Sequence, residues 1–149
     1  MQARGEWAMV QEFMKFDTKI AVVLRDDLPT WQKLNVTAFI VSGIAGTVER
    51  VVGNDYEDGS GNAYLPMFRQ PVLVFSGNAD QLRAVYERAM SRALRFAIFT
   101  EELFGTNNDV ANRAAVKACQ REDLKIVGLA LREEKKIVDK VTKGLALHG

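Results

Sequence analysis

The sequence predicts a single α/β domain of three layers, in which helices cover both faces of a mostly parallel or mixed sheet. Strand-length apolar runs alternate along the chain with apolar residues at helical spacing. These runs are too apolar for strands with one solvated face, so we expect burial on both sides. The chain has 149 residues, of which 48% are hydrophobic, and this suffices for one core. We expect the domain at residues 17–149, after an N-terminal extension at residues 1–16.

The first strand and helix are predicted on either side of a short acidic turn. Residues 19–25 are a nearly continuous apolar run of strand length. We expect Asp27 to cap the next helix, which Pro29 or Thr30 can begin. The helix then carries residues at helical spacing, namely Val36, Phe39, Ile40, Gly43, Ile44 and Thr47.

A strand–helix–strand unit is predicted in the middle of the chain. Residues 48–52 fit either a helix end or a short strand, and residues 71–76 form the next buried strand. Asn78 and Gln81 have the spacing of a capping box at a helix start. The stripe of that helix consists of Leu82, Val85, Tyr86, Ala89, Met90 and Ala93. With a strand at residues 95–100, we expect two strands paired in parallel.

The last predicted elements are a helix, a strand and a polar segment. Asn107 and Asn108 can cap a helix whose small side chains favour tight docking. Residues 125–131 form the last predicted strand. Asp139 and Thr142 follow at a spacing that places both on one face of a helical turn, where the hydroxyl can hydrogen-bond to the carboxylate. The alternative is structural, with the carboxylate capping a helix and the hydroxyl bonding back to the main chain.

Charge and composition restrict the classes of partner. The 20 basic and 19 acidic side chains nearly balance, so the overall charge neither requires nor excludes a polyanion. No apolar run approaches the roughly 18 residues that span a bilayer, which predicts no membrane association. The single cysteine, Cys119, cannot form an internal disulfide and indicates a cytoplasmic protein. Domains of this size are often symmetric dimers, so a homodimer is also expected.

No cofactor or metal ion is predicted. Residues 53–62 have the composition of a surface loop, and their acidic side chains lack the spacing of an EF-hand. Gly43 and Gly46 lie inside a predicted helix rather than at a strand-to-helix turn, which argues against a dinucleotide. Trp31 could stack on a base, although partial burial is the alternative.

Two segments resemble a known bacterial family. They are residues 24–35, Leu-Arg-Asp-Asp-Leu-Pro-Thr-Trp-Gln-Lys-Leu-Asn, and residues 139–145, Asp-Lys-Val-Thr-Lys-Gly-Leu. Both are similar to the domain-of-unknown-function family numbered two thousand, and the resemblance covers nearly all of the chain beyond Met14. That family has no established activity.

A second and more distant resemblance is to the type II peptidyl-tRNA hydrolases. Arg25, Asp27 and Leu28 match the Arg-x-Asp-Leu that ends their first strand. Their closing pattern, Asp-x-Val-Thr-Gly-x-Leu-x-Leu, is matched by Asp139, Val141, Thr142, Leu145 and Leu147. The Gly-Lys turn of that family is absent: Lys33 lies one position from its lysine, and Asn35 or Leu34 competes for the place.

The resemblance to the hydrolases implies their fold and cleavage of the ester between a peptide and tRNA. Asp139 would be the base, and Thr142 would orient it. Lys33 or Lys140 would supply the cation near the developing oxyanion. The residues implied as substrate contacts are Arg25, Asp27, Asn35, Lys140 and Lys143.

Two hypotheses of different classes therefore remain. The first is a hydrolase of peptidyl-tRNA or of a related acyl ester. The second is a non-catalytic module on the same fold that binds a small molecule, RNA or a protein, and the missing Gly-Lys turn favours it. The distance between Lys33 and Asp139 discriminates between them, because only the fold is shared if the two lie on opposite faces.

Overall fold

The first predicted strand lies at the centre of the sheet in the computed structural model, which describes residues 16–149. The predicted extension therefore falls almost wholly outside the described residues. The strands of the main sheet are β1 (Thr18–Arg25), β4 (Val72–Gly77), β5 (Ala97–Thr100), β6 (Ile126–Glu134) and β7 (Ala146–Leu147). Their order across the sheet is β5-β6-β1-β4-β7. A separate hairpin consists of β2 (Tyr56–Glu57) and β3 (Ala63–Tyr64).

Four α-helices accompany these strands in the described part of the chain. They are α1 (Thr30–Thr47), α2 (Ala79–Ser91), α3 (Asp109–Lys117) and α4 (Lys135–Val141). Short 3-10 turns occur at Glu101–Gly105 and Arg121–Asp123. The predicted capping box at the start of α2 is confirmed, since Asn78 accepts from the backbone of Gln81 and the Gln81 side chain accepts from the backbone of Asn78.

β1 is buried on both faces, as predicted, because it has a neighbour on each side and helices above and below. It pairs in parallel with β4, where Val22 faces Val74, and antiparallel with β6, where Val22 faces Ala130. Alternate residues of β1 then enter two different cores. The core under α1 contains Ile20, Val22, Leu24, Val36, Ile40 and Ile44. The core under α2 and α4 contains Ala21, Val23, Leu82, Val85, Val138 and Val141.

Two predictions of topology were wrong. β4 and β5 run in the same direction but are not paired, because β1 and β6 lie between them. β6 was predicted to be the last strand, but a further strand, β7, follows it and pairs antiparallel with β4. β6 itself is antiparallel to both of its neighbours. The sheet is therefore mixed. The mixed character arises because β1 and β4 are parallel, whereas β6 and β7 are antiparallel to the strands beside them.

Two local predictions were also wrong. Asp27 does not cap α1, whose N-cap is Pro29 without a side-chain hydrogen bond. The segment predicted as a surface loop does lie at the surface, where it includes part of the β2–β3 hairpin, closed by Asp58. The helix after Asn108 forms as predicted, but none of its residues is buried in the described structure. α3 therefore stands away from the sheet instead of docking tightly.

α1 lies close to the sheet because of one glycine. A Cβ added at Gly128 in β6 would stand 2.4 Å from Cγ1 of Val36, well inside van der Waals contact. Gly128 pairs with Leu24 in β1 and with Phe99 in β5, so this close approach occurs near the carboxyl ends of those two strands. It positions the N-terminal half of α1 above the ends of β1 and β5.

Candidate functional site

A cleft opens at one edge of the sheet, between α1 and α3. β1, β4 and β5 run in the same direction, so their carboxyl ends share this edge. Open α/β sheets place ligands outside the carboxyl ends of their parallel strands. The cleft has a volume of about 510 Å³. Its lining residues are Trp31, Asn35, Phe39, Ser42, Phe99, Leu103, Phe104, Thr106, Asn107, Asn108, Asp109 and Asn112.

Aromatic rings form the inner surface of this cleft. The rings of Phe99 and Phe104 are 5.1 Å apart between centroids, and Phe99 is buried. Trp31 meets Phe104 edge-on at 6.3 Å, and Phe39 meets Phe99 edge-on at 5.8 Å. Edge-to-face pairs at these separations hold the rings in defined orientations. The cleft thus has a preformed apolar wall.

Carboxamides and hydroxyls supply the polar part of the lining. The side chain of Asn35 is half-buried and has no hydrogen bond to any other residue in the range 16–149. Asn112 accepts a hydrogen bond from the Thr106 hydroxyl, which leaves its NH₂ group available. Asn107 accepts from the NH₂ group of Asn108 at 3.0 Å, and Asn108 caps α3 through its other end. The lining of the cleft therefore combines amide groups that have unused hydrogen-bonding capacity with aromatic rings.

Local sequence explains how these side chains are presented. Trp31, Asn35 and Phe39 recur at every fourth residue, so they form one stripe along the side of α1 that faces α3. Asn108 orients the start of α3 by accepting from the backbone of Ala111 at 2.8 Å. Thr106 bonds to the carbonyl of Leu103 at 3.0 Å and so closes the 3-10 turn. The site is built from one helix face and one ordered turn.

Arg25 is bound to the 3-10 turn that borders the cleft and is not a free cation. Its Nη1 lies 2.5 Å from Oε1 of Glu101, and its Nε lies 2.6 Å from Oδ1 of Asp27. Burial lowers the pKa of Arg25, but the hydrogen bonds to Glu101 and Asp27 outweigh it and leave that pKa above its ordinary value. Two carboxylates therefore neutralise this guanidinium, which the resemblance to the hydrolases implies as a substrate contact.

Lys33 lies near the same edge but turns away from the cleft. Its Nζ is 3.1 Å from Nε2 of His148, and His148 follows β7 at the opposite side of the sheet from β5. Asn35 is thus the one implied substrate residue that lines the cleft.

The remaining implied site residues lie elsewhere. Asp139 in α4 pairs with Lys19 at 2.6 Å, and Lys19 is the second residue of β1. The buried hydroxyl of Thr142 donates to the carbonyl of Val138 at 2.8 Å rather than to Asp139, as the structural alternative predicts. Lys140 and Lys143 are exposed beside them.

Lys33 and Asp139 are on opposite sides of the molecule. α1 packs on one face of the sheet and α4 on the other. Lys19, the partner of Asp139, is at the start of β1, whereas α1 begins beyond its end. Six residues of strand separate Lys19 from Arg25, which corresponds to about 20 Å. The structure therefore does not bring the implied base and the implied cation together.

The closing pattern from Asp139 to Leu147 has a structural explanation. Val138 and Val141 are buried and anchor α4. Arg88 donates to the carbonyls of Val141 and Lys143 at 3.2 and 3.0 Å and so satisfies the helix end. Gly144 then turns the chain toward β7 with φ +87°, a conformation that glycine adopts at low cost. The pattern ends a helix and begins a strand.

Neither a metal centre nor a membrane span was found within residues 16–149. No three His, Cys, Asp or Glu side chains converge on one point there. No helix of that range is long and apolar enough to cross a bilayer.

Several cleft residues were missed by sequence reasoning. Asn107 and Asn108 were interpreted only as helix caps. For Trp31 both stacking on a base and partial burial were left open, and it is 63% exposed. The cleft residues of α1 could have been recognised from sequence, because Trp31, Asn35 and Phe39 are spaced four residues apart and are offset from the buried stripe of that helix. The facing Asn112 had no comparable signal, because its place opposite α1 depends on the tertiary fold.

Comparison with known proteins gives a family and one structural relative. Residues 18–149 match the family described as protein of unknown function DUF2000. No curated protein matches the chain. A solved structure of a protein of unknown function from Agrobacterium tumefaciens strain C58 is 47% identical and has a TM-score of 0.88. The match covers 91% of this chain and 100% of that one. The chain therefore belongs to the DUF2000 family.

Proposed function

We propose that this domain binds a small, uncharged organic molecule in the cleft between α1 and α3. The observation that carries the proposal is the half-buried residue Asn35, which lines the cleft together with aromatic residues and whose carboxamide has no hydrogen-bond partner among residues 16–149. A carboxamide offers two donors and one acceptor. Ligand pockets are typically apolar and aromatic, with a few polar groups that orient the ligand. The cleft has this composition.

The charges around the cleft support an uncharged ligand. Asp109, the one charged residue among those that line it, is 2.9 Å from Arg113. Arg25 is held by two carboxylates, as described above. A charged ligand would have to leave water at a lining whose one charged side chain is already paired, which is costly.

The same charges argue against tRNA at this edge. Binding to a nucleic acid depends on lysine and arginine near its phosphates. The segments around the cleft contain Asp26, Asp27, Glu101, Glu102 and Asp109. Against these five stand four basic residues: Arg25 and Arg113, which are both paired, and Lys33 and Lys117. The separation of Lys33 from Asp139 likewise favours binding over ester hydrolysis.

A fluorescence titration tests the proposal. The chain has two tryptophans, so Trp7→Phe leaves Trp31 as the only one, at the rim of the cleft. Panels of uncharged, anionic and cationic metabolites are titrated separately, and binding is checked by the melting temperature. We expect a saturable change in Trp31 emission, with a higher melting temperature, only with members of the uncharged panel.

A pair of matched variants locates the binding. Asn35→Leu removes the amide from the cleft, and loss of hydrogen bonds worth about 1–2 kcal/mol should weaken binding by about tenfold. Asn54→Leu removes an exposed amide that does not line the cleft, and binding should not change. The proposal would be contradicted if no member of the uncharged panel bound, or if both variants weakened binding equally. Cleavage of N-blocked aminoacyl-tRNA that Asp139→Asn abolishes would establish the hydrolase instead.

A further inference from the structure

A second pocket lies at the other end of α1 from the cleft, and two arginines line it. It has a volume of about 300 Å³ and shares no lining residue with the cleft. The end of α1 contributes Gly43, Ile44 and Thr47 to its lining. Arg95, just before β5, and Arg132, near the end of β6, are the two arginines. We name this feature the arginine pocket.

The pairing of β5 with β6 brings the two arginines together. Ala97 pairs with Ala130 in antiparallel register, and both alanines pack in the core under α1. Arg132 lies two residues beyond Ala130, so it points to the same face of the sheet. Arg95 lies two residues before Ala97 and lines the same pocket. Two positively charged side chains therefore border one pocket on the α1 face.

A buried glutamine orients the guanidinium of Arg132. Arg132 is half-buried, and its Nε donates to Oε1 of Gln70 at 3.1 Å. Gln70 is only 9% exposed and is fixed in turn by Thr18, whose carbonyl accepts from Nε2 of Gln70 at 3.1 Å. The two Nη groups of Arg132 form no hydrogen bond within residues 16–149. Four N–H donors of an oriented guanidinium thus remain available.

No carboxylate neutralises either arginine in the described part of the chain, where neither forms an ion pair. Glu133 lines the pocket, but it is opposite Lys19 in the β1–β6 register, and Lys19 pairs with Asp139 on the α4 side of the sheet. Glu49 and Glu134 are exposed and do not line the pocket. Adjacent like charges on a sheet destabilise it, which calls for an opposite charge between them.

The end of α1 does not supply the missing acceptors. The carbonyl of Gly43 accepts from the Thr47 hydroxyl at 2.6 Å, and the carbonyl of Ile44 accepts from the backbone N–H of Val48 at 3.0 Å. The negative end of the α1 dipole attracts both guanidinium groups, but this attraction is weak and leaves their N–H donors unbonded. The donors of the arginine pocket are therefore open to a ligand.

We propose that the arginine pocket binds the phosphate group of a small phosphate monoester. Guanidinium groups bind phosphate oxygens through paired N–H donors. A phosphate monoester carries a charge of about −1.5 to −2 at neutral pH, which balances two arginines, whereas one carboxylate would balance only one. Ile44 and Ala97 provide apolar lining for the carbon part of the ligand. This site is separate from the proposed cleft, and its occupation does not depend on a ligand there.

Titration of the full chain with inorganic phosphate, at constant ionic strength, tests the anion contact. We expect saturable shifts in the NMR signals of the Nε–H groups of Arg95 and Arg132, but not of Arg92, which is exposed and does not line the pocket. Trp31 emission in the Trp7→Phe chain should stay constant, because Thr47 lies 16 residues after Trp31, about 24 Å along α1. This readout separates the arginine pocket from the cleft.

A panel of small phosphate monoesters tests the ligand class. At least one member should bind tenfold or more tightly than inorganic phosphate, because its carbon part also contacts the pocket. Binding of inorganic phosphate alone would overturn the monoester and leave free phosphate as the ligand. The absence of any saturable shift would overturn the site itself.

Matched variants test the role of each arginine. Arg95→Gln and Arg132→Gln should each weaken phosphate binding by tenfold or more, whereas Arg92→Gln removes the same charge outside the pocket and should leave binding unchanged. Without phosphate at low salt, Arg95→Gln should melt at a higher temperature than Arg92→Gln, because the repulsion from Arg132 is relieved. A lower melting temperature would show that Arg95 stabilises the fold, and binding that survives both pocket substitutions would overturn the proposal as well.

Discussion

Arg25 and Glu101 are 76 residues apart in the sequence and form an ion pair with 2.5 Å between Nη1 and Oε1. The pair joins the end of β1 to the 3-10 turn that carries Leu103 and Phe104 into the cleft. The Arg25 side chain is only 15% exposed, so this contact is better shielded from solvent than an ordinary surface pair. It connects the central strand to the wall of the proposed binding site.

Arg25→Met should reduce the free energy of unfolding by about 1–2 kcal/mol, because Glu101 and Asp27 would both lose their charged donor. Urea denaturation measures the change. The matched control is Arg113→Met: its pair with Asp109 has side chains that are 72% and 80% exposed, and we expect a loss below about 0.5 kcal/mol. Equal losses for the two variants would mean that the Arg25 contact has no special role.

Asp139→Asn and Thr142→Val should leave ligand binding unchanged. Asp139 is 60% exposed and pairs with Lys19, so its loss should cost less than about 1 kcal/mol. Thr142→Val preserves the volume of a buried side chain and removes one hydrogen bond to Val138, for about 1 kcal/mol or less. Thermal melts and the Trp31 titration measure both effects. Strong loss of binding without loss of stability would instead indicate that this segment contacts the ligand.

The β2–β3 hairpin should resist acid because of Asp58. This carboxylate accepts from the backbone of Asn62, the hydroxyl of Tyr64 and the side chain of Asn62, which hold its pKa far below the ordinary value. Because the pKa of Asp58 is lower in the folded protein than in the unfolded chain, its ionised carboxylate stabilises the fold at pH values above the pKa in the unfolded chain. This stabilisation is lost as the pH falls through the pKa in the folded protein. The amide signals of Ser60 and Asn62 should therefore stay constant in NMR spectra down to about pH 3. Changes already centred near pH 4 would contradict this.

The partner of Asp58 provides an independent measurement. The hydrogen bond to Asp58 raises the pKa of Tyr64 above its ordinary value. In Asp58→Ala that pKa should fall toward about 10, as followed by the ring signals of Tyr64 at alkaline pH. Asp55→Ala, a nearby substitution without a contact to Tyr64, should leave the pKa of Tyr64 unchanged.

Gly128→Ala should destabilise the domain by about 1–3 kcal/mol, because the added methyl group meets Val36 at 2.4 Å. Gly46→Ala is the control, since a Cβ there meets nothing within 4 Å, and we expect no loss of stability. In a double-mutant cycle, Val36→Ala should make Gly128→Ala less costly. Urea denaturation of the four chains measures the coupling, and strict additivity would show that Val36 does not limit this contact.

Much of the local structure was predictable from the sequence. The apolar run before Arg25 became β1, and the Asn78–Gln81 spacing became a capping box. Both rest on interactions within a few residues, which sequence spacing records directly. The helix after Asn108 was predicted for the same reason, but its tight docking was not realised, because docking depends on surfaces brought from elsewhere in the chain.

The candidate site was predictable only in part. Asn35 was named from a resemblance and lines the cleft. Asn112 and Phe104 also line it, but only because the 3-10 turn and α3 follow β5 at the carboxyl edge of the sheet. The segment from Asp139 to Thr142 was correctly expected to be polar and helical. Its distance from Lys33 could not be predicted, because it depends on which face of the sheet each helix covers.

The sequence by itself determined strands β1, β4, β5 and β6, helices α1, α2 and α3, the caps of α2 and α3, and the burial of β1, because these depend on periodicity and on contacts between near neighbours. Only the tertiary structure decided the strand order, with β6 between β1 and β5, and hence which polar residues meet. Pairing between distant strands has no local signature, and the side of the sheet that a helix covers follows from it. That is why Arg25 meets Glu101 while Lys33 and Asp139 stay apart.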